Sequence, residues 1–435
     1  MEFALELPIR AGGLLLIIAL CHAFAQRLRL PDSFALTGAG VLFGIAYWAL
    51  EHFEPRFTAA TITPFLSPAL PPEAYLWIFL PPILFQAAME VDTKEFLADL
   101  APIVVLAIGA VLAAAASVGI MAHLISGQSL TVCLLLGAIV STTDPSTVIA
   151  LFRRSGVPDR LIRLVEGESL FNDAAAIAIS TLLIGALSVV PGSSDAIEHP
   201  LGHFLFSLAG GCALGSIVGA LFVAVSRALH SAPFSAYTLS LALPNLIYPL
   251  AEHWLHMSGV AAVVCAGLMA SRLLRSRWPA SHLRLFQQLW EYQAALAAAA
   301  VFLLASAHVS GMLTQLDALD ALTLCFALAA AVASRLAVLT LCVPLLSRIG
   351  ICKPLPRAHR LLIAWGGVRG PVTLTLALCV ARNAALADGP RQFAATMAAG
   401  FVLLNLVCNG LTLGKLTARL GIRRHERVVQ ADSLQ

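Results

Sequence analysis

Stretches of about twenty largely apolar residues, the length a helix needs to cross a bilayer, follow one another along the whole 435-residue chain. Thirteen can be placed, centred near residues 17, 42, 82, 112, 141, 177, 216, 243, 265, 298, 333, 371 and 404. Only 12% of the residues are charged, against about 25% in soluble domains. Lipid offers the backbone no hydrogen bonds, so each segment must satisfy its own and is read as a helix. The expected fold is an all-α polytopic membrane protein with thirteen transmembrane helices. Nine cysteines are scattered through apolar runs without metal or redox spacing, so no cofactor is expected.

Lys and Arg set the orientation, because cytoplasmic loops retain them. Of 27 such residues, 21 fall in connections after odd-numbered segments, among them Arg27, Arg29, Lys94, Arg153, Arg154, Arg160, Arg163, Arg227, Arg277, Arg423, Arg424 and Arg427. The other side holds Arg10, Arg56, Arg382 and Arg391. This predicts a chain in the cell (inner) membrane with its N-terminus outside and its C-terminus cytoplasmic. The start, MEFALELPIR, lacks the basic n-region of a cleavable signal.

Two segments are interrupted, the fifth by Thr143-Asp144-Pro145 and the twelfth by Gly366-Gly367-Val368-Arg369-Gly370-Pro371. Proline removes a donor and clashes with the preceding turn, and clustered glycines weaken a helix. Such breaks are tolerated at membrane depth where they line a polar cavity. Residues 1–190 and 232–421 then read as two inverted repeats joined by a linking helix at 191–231, with a short charged tail at 422–435. Each break falls in the fifth helix of its repeat, the arrangement of transporters whose broken helices cross near the bilayer midplane.

Charge inside apolar segments is costly and points to ion or proton handling. Asp144 and Arg369 stand beside the breaks, where an acid and a base would balance exposed helix ends. Direct ion binding by Asp144 is the competing reading. Asp173 lies about ten residues past Arg163, half-way through the hydrocarbon core at 1.5 Å per residue. Ser169, four residues earlier, shares its helix face. Hard cations prefer such oxygen ligands, and Thr143 with freed carbonyls would complete the shell. Glu168 points about 140° away from Asp173 and is expected to pair with the buried Arg335. Asp173 alone then lacks a permanent counter-ion and is free to trade a proton for a cation.

TDPSTVIALFRRSGVP followed by EGESLFNDA, with LPPILF at 80–85, SGVAAVVCAGL at 258–268 and WGGVRGPVTL at 365–374, resembles the monovalent cation/proton antiporters, most closely the NhaP and NHE type of sodium/proton exchanger in its compact bacterial form. The resemblance implies a homodimer and an elevator-like movement of a core against a dimerisation domain. It also implies Asp173 as the shared cation and proton site with Thr143 and Ser169 as ligands, Asp144 and Arg369 at the crossing, and Glu168 with Arg335 as a buried pair. Asn172, counted with Gln86 among the expected cation- and proton-binding residues, stands where electrogenic relatives carry a second aspartate, which implies one-for-one electroneutral exchange. Gln86 replaces the usual acidic residue after LPPILF, and it offers a carbonyl oxygen without charge. Ala298, Ser306 and Asn409 stand where the pattern usually has Asn, Gly and Gln.

Other features are read plainly. Glu252, His253 and His256 are expected in an exposed loop, Glu291 is given no transport role, and Gly211, Gly215 and Gly219 form a small-residue packing stripe. Glu90, Asp92, Lys94, Glu95 and Asp99 are read as a solvated connector, and Arg160 and Arg163 as topology determinants.

The function expected is secondary exchange of Na+ or Li+ for H+, with the lipid bilayer, the two ions and a second copy of the chain as partners and no nucleic acid. Potassium/proton exchange on the same scaffold is the alternative. An intramembrane hydrolase using Asp144 and Asp173 is a remote one, since no GxGD-like or HExxH motif is present. The chain is therefore expected to be a transporter and not an enzyme.

Overall fold

A computed structural model describes residues 2–28, 30–53, 72–91, 93–188, 200–228, 233–275, 278, 280–313, 316–350 and 352–421. Arg29, Arg56, Asp92, Arg277, Arg423, Arg424 and Arg427, the repeat boundaries at 190/191 and 231/232, and the tail at 422–435 lie outside the described residues.

The described residues form helices: α1 (Glu2–Leu28), α2 (Asp32–Phe53), α3 (Pro72–Glu90), α4 (Leu100–Ser126), α5 (Leu130–Ile139), α6 (Pro145–Ser155), α7 (Asp159–Ser188), α8 (Pro200–Ala228), α9 (Pro233–Pro249), α10 (Gly259–Arg275), α11 (Ala280–Leu313), α12 (Ala318–Arg348), α13 (Arg357–Trp365), α14 (Pro371–Arg382) and α15 (Asp388–Arg419). Eight of these are long and apolar enough to cross a membrane by length and composition. The two interrupted segments are pairs of half-helices, α5 with α6 and α13 with α14.

Local chemistry explains the ends. Ser129 caps α5 by accepting from Val132 N at 3.4 Å. Asp144 caps α6, with Pro145 in the first turn, where a missing N–H costs nothing. Gly156 closes α6 at φ 67°, a left-handed conformation suited to glycine. An Asp317–Asp320 capping box opens α12.

The helices pack as two groups. One contains α1, α2, α3, α8, α9, α10 and α11; the other contains α4 to α7 and α12 to α15. The glycine stripe lets α8 lie against α10, where a Cβ on Gly215 would overlap the backbone of Ala262. Contacts between α3 and α14, α7 and α10, and α11 and α14 join the groups. The second group is the one that contains both broken pairs.

The charged connector differs from the solvated loop expected of it. Glu95 pairs with Arg163 at 2.7 Å, and Asp99, 8% exposed, lies 3.4 Å from Arg160 and 4.0 Å from Arg163. Arg160 also donates to Lys353 O at 2.9 Å and Pro354 O at 3.3 Å. These arginines therefore clasp three chain segments together. Glu252 accepts from Gly259 N at 2.9 Å, at the start of α10.

Candidate functional site

The four half-helix ends meet at the centre of the second group. Asp144 N donates to Val368 O at 2.8 Å, tying one unwound stretch to the other. The hydroxyls of Thr142 and Thr373 lie 2.5 Å apart. Each half-helix ending here leaves carbonyls at a negative end, and each one starting here leaves N–H groups at a positive end.

Asp144 and Arg369 answer those two needs. Asp144 Oδ1 accepts from Ser146 N at 3.1 Å, and both its carboxylate oxygens lie 2.8 Å from Ser146 Oγ. A Cβ on Gly370 would collide with Asp144 Cβ, so glycine there lets the Asp144 side chain pack against the backbone just before α14. Arg369, 4% exposed, donates from Nη1 to Ser141 O at 3.2 Å and Thr142 O at 2.9 Å, just past the end of α5. Its guanidinium carbon sits 5.7 Å from the centre of the Phe401 ring.

Against the crossing lies a cavity of about 310 Å³ lined by Gln86, Thr143, Asp144, Ser169 and Asp173. Asp173 is 5% exposed, and its Oδ1 has no protein hydrogen-bond partner. Ser169 Oγ donates to Thr143 O at 2.7 Å, while Asn172 Nδ2 donates to Thr143 Oγ1 at 2.5 Å. Asn172 therefore stands behind the lining and holds Thr143. The Gln86 amide donates to Glu90 at 2.6 Å. Carboxylate, hydroxyl and carbonyl oxygens on this wall form a donor set suited to a hard monovalent cation.

Glu168 and Arg335 lie away from the cavity lining. Arg335 Nη2 donates to Glu168 Oε2 at 2.5 Å, with both side chains under 7% exposed. A buried charge is tolerable in such a hydrogen-bonded pair and costly alone.

The cavity also draws in residues that sequence reasoning passed over. Glu90, Arg153, Glu166 and Glu291 line it on the side where α6 turns into α7, with Arg153 Nη2 3.5 Å from Glu166 Oε1. Glu166 had a readable signal: it precedes Asp173 by seven residues, two turns, and so lies within about 20° of the same face. Glu90 and Glu291 had none, because their place depends on how α3 and α11 face the other group. Ala298 is also on the wall, where it presents a methyl group.

The sequence model of a family described as "Sodium/hydrogen exchanger, transmembrane" matches residues 13–419. Similar proteins include the Na(+)/H(+) antiporter ApNhaP of Aphanothece halophytica, 32% identical over 81% of this chain and 66% of that protein. The Na(+)/H(+) antiporter NhaH of Halobacillus aidingensis is 27% identical over 94% of this chain and 96% of its own. The chain spans 35% of sodium/hydrogen exchanger 7 of Arabidopsis thaliana, at 25% identity. The solved structure of the sodium proton antiporter MjNhaP1 from Methanocaldococcus jannaschii shares the fold, with a TM-score of 0.75 at 21% identity over 95% of this chain and 99% of that one.

Proposed function

The chain belongs to the sodium/hydrogen exchanger family, and from that premise we propose that it is an electroneutral antiporter exchanging one Na+ or Li+ for one H+ at Asp173. The observation that carries this reading is the buried Asp173 carboxylate, with an unpartnered oxygen on a cavity whose wall also offers Thr143 and Ser169. Among the described residues, the other acids at the crossing have committed partners: Asp144 the start of α6, Glu168 the guanidinium of Arg335. Asp173 holds either a proton or a cation, and competition for one site exposed alternately to the two sides couples the opposed fluxes.

The stoichiometry follows from chemistry at the neighbouring position. Asn172 cannot titrate, and its amide is engaged by Thr143. One exchangeable charge means that the loaded and protonated forms differ by no net charge. The cavity is walled by α3 and α11 from one helix group and by α6, α7 and α14 from the other, so sliding of the groups would open it to the opposite side. In this proposal the Arg153–Arg163 side is cytoplasmic, residues 1–190 and 232–421 are inverted repeats, and the working unit is a homodimer.

Purified protein in proteoliposomes, loaded with a pH-sensitive dye and challenged in turn with Na+, Li+ and K+ with and without a membrane potential, tests the reading. Na+- and Li+-dependent proton flux indifferent to the potential supports it. A response to K+ alone moves the assignment to potassium/proton exchange, and cation-independent proton flux overturns exchange altogether.

A further inference from the structure

A helix broken at membrane depth leaves backbone groups that lipid cannot satisfy, and where those groups go shows what holds the break in shape. In the stretch between α13 and α14, Gly366 N donates to Leu362 O at 2.9 Å, Val368 N to Gly366 O at 2.8 Å, and Val368 O accepts from Asp144 N at 2.8 Å. The remaining bonds come from two amides on α15. Asn405 Oδ1 accepts from Arg369 N at 2.8 Å, and Asn405 Nδ2 donates to Gly367 O at 3.2 Å. Asn409 Nδ2 donates to Trp365 O at 2.9 Å. Both asparagines are 1% exposed, and a π turn at Leu406–Gly410 follows Asn405 directly.

The Asn405 amide thus grips the strand on both sides of Val368, whose carbonyl receives Asp144 N. It also fixes the backbone of Arg369, whose guanidinium holds Ser141 O and Thr142 O. The next residue, Thr143, is a wall of the cavity, bonded to Ser169 and Asn172. A path of hydrogen bonds and short covalent links runs from α15 through Arg369 and the Thr142–Thr143 backbone to the oxygens beside Asp173. Asn405 itself does not line the cavity.

We infer that Asn405 is a positioning residue for the cation site: its paired hydrogen bonds set the angle of the unwound strand and, through Arg369, the placement of Thr143. The inference rests on the exchange reading and extends it to a residue outside the cavity. Asn405→Leu keeps the branched shape and removes both bonds, whereas Asn405→Thr replaces the amide by one hydroxyl able to serve the strand.

The test measures Na+-dependent proton flux in proteoliposomes for wild type and both variants, using only protein that is monodisperse. The expected result is a graded rise in the Na+ concentration for half-maximal rate, about tenfold for Asn405→Leu and about threefold for Asn405→Thr, with maximal rates within about twofold, as for loss of one or two buried hydrogen bonds that orient a ligand. Lower yield or melting temperature with a wild-type half-saturation value marks a structural role only and overturns the inference. If Asn405→Leu does not fold, the Asn405→Thr value decides by itself. Absence of Na+-dependent flux in wild type counts against the exchange reading; wild-type flux with unshifted variants counts against Asn405 alone.

Discussion

Glu168 and Arg335 are 2.5 Å apart and nearly shut off from solvent, joining α7 to α12 across the group that carries the broken helices. Neither can be removed without leaving the other charged and unpartnered, which costs about 3–5 kcal/mol for a buried pair. Glu168→Ala and Arg335→Ala are each expected to lower the thermal unfolding temperature and the yield in detergent while leaving cation preference in the surviving protein unchanged. The double replacement Glu168→Leu with Arg335→Met is expected to recover part of the stability. A single variant as stable as wild type would show that the pair does not hold α7 against α12.

Asp173, five residues further along the same helix, faces the cavity. Asp173→Ala is expected to abolish Na+-dependent proton flux in protein that melts within a few degrees of wild type. Under the proposed exchange, proton and Na+ compete for this one carboxylate, so lowering pH on the Na+ side is expected to raise the half-saturating Na+ concentration, approaching about tenfold per pH unit, while the rate at saturating Na+ is unchanged. A fall in maximal rate at fixed half-saturation would indicate separate sites for the two ions.

Asn172 offers the stoichiometric test. Its amide donates to Thr143 Oγ1 at 2.5 Å, and Asn172→Asp replaces that donor by a second carboxylate which Thr143 can serve as donor in turn. Two exchangeable charges would then accompany one cation, so flux in this variant is expected to respond to an imposed potential where wild type does not. The readout is the same proteoliposome assay with a potassium diffusion potential. Indifference of both proteins to the potential would detach stoichiometry from this position.

Much of this site is legible in the amino-acid sequence. Thr143-Asp144-Pro145 and the glycines around Arg369 announce the breaks because proline and glycine act locally, and Asp173 stands out by its depth in an apolar run. What escapes a reading of the sequence depends on contacts between helices. That Arg369 reaches past the end of α5, that Asn405 grips Gly367 and Arg369, and that Asp99 is clasped by Arg160 are facts of tertiary packing with no periodic trace. Glu166 falls between: its seven-residue spacing from Asp173 is legible, but its closeness to the arginine-rich loop makes it resemble an ordinary interfacial charge.

Arg153 is the one basic residue among the described residues lining the cavity, and it stands 3.5 Å from Glu166 in a wall that also carries Glu90 and Glu291. Under the proposed exchange it is a tethered cation that competes with arriving ions for the same carboxylates. One elementary charge at a solvated mouth changes the energy of a nearby ion by about 1 kcal/mol, a factor of about five in local concentration. Arg153→Gln is therefore expected to lower the half-saturating Na+ concentration several-fold in dilute buffer, and Glu166→Gln to raise it by a similar factor. Both effects should shrink as ionic strength rises toward about 0.5 M with an inert organic cation, because the Debye length falls to about 4 Å. Equal half-saturation values for wild type and both variants at low salt would show that ions reach Asp173 without passing under the influence of Arg153 and Glu166.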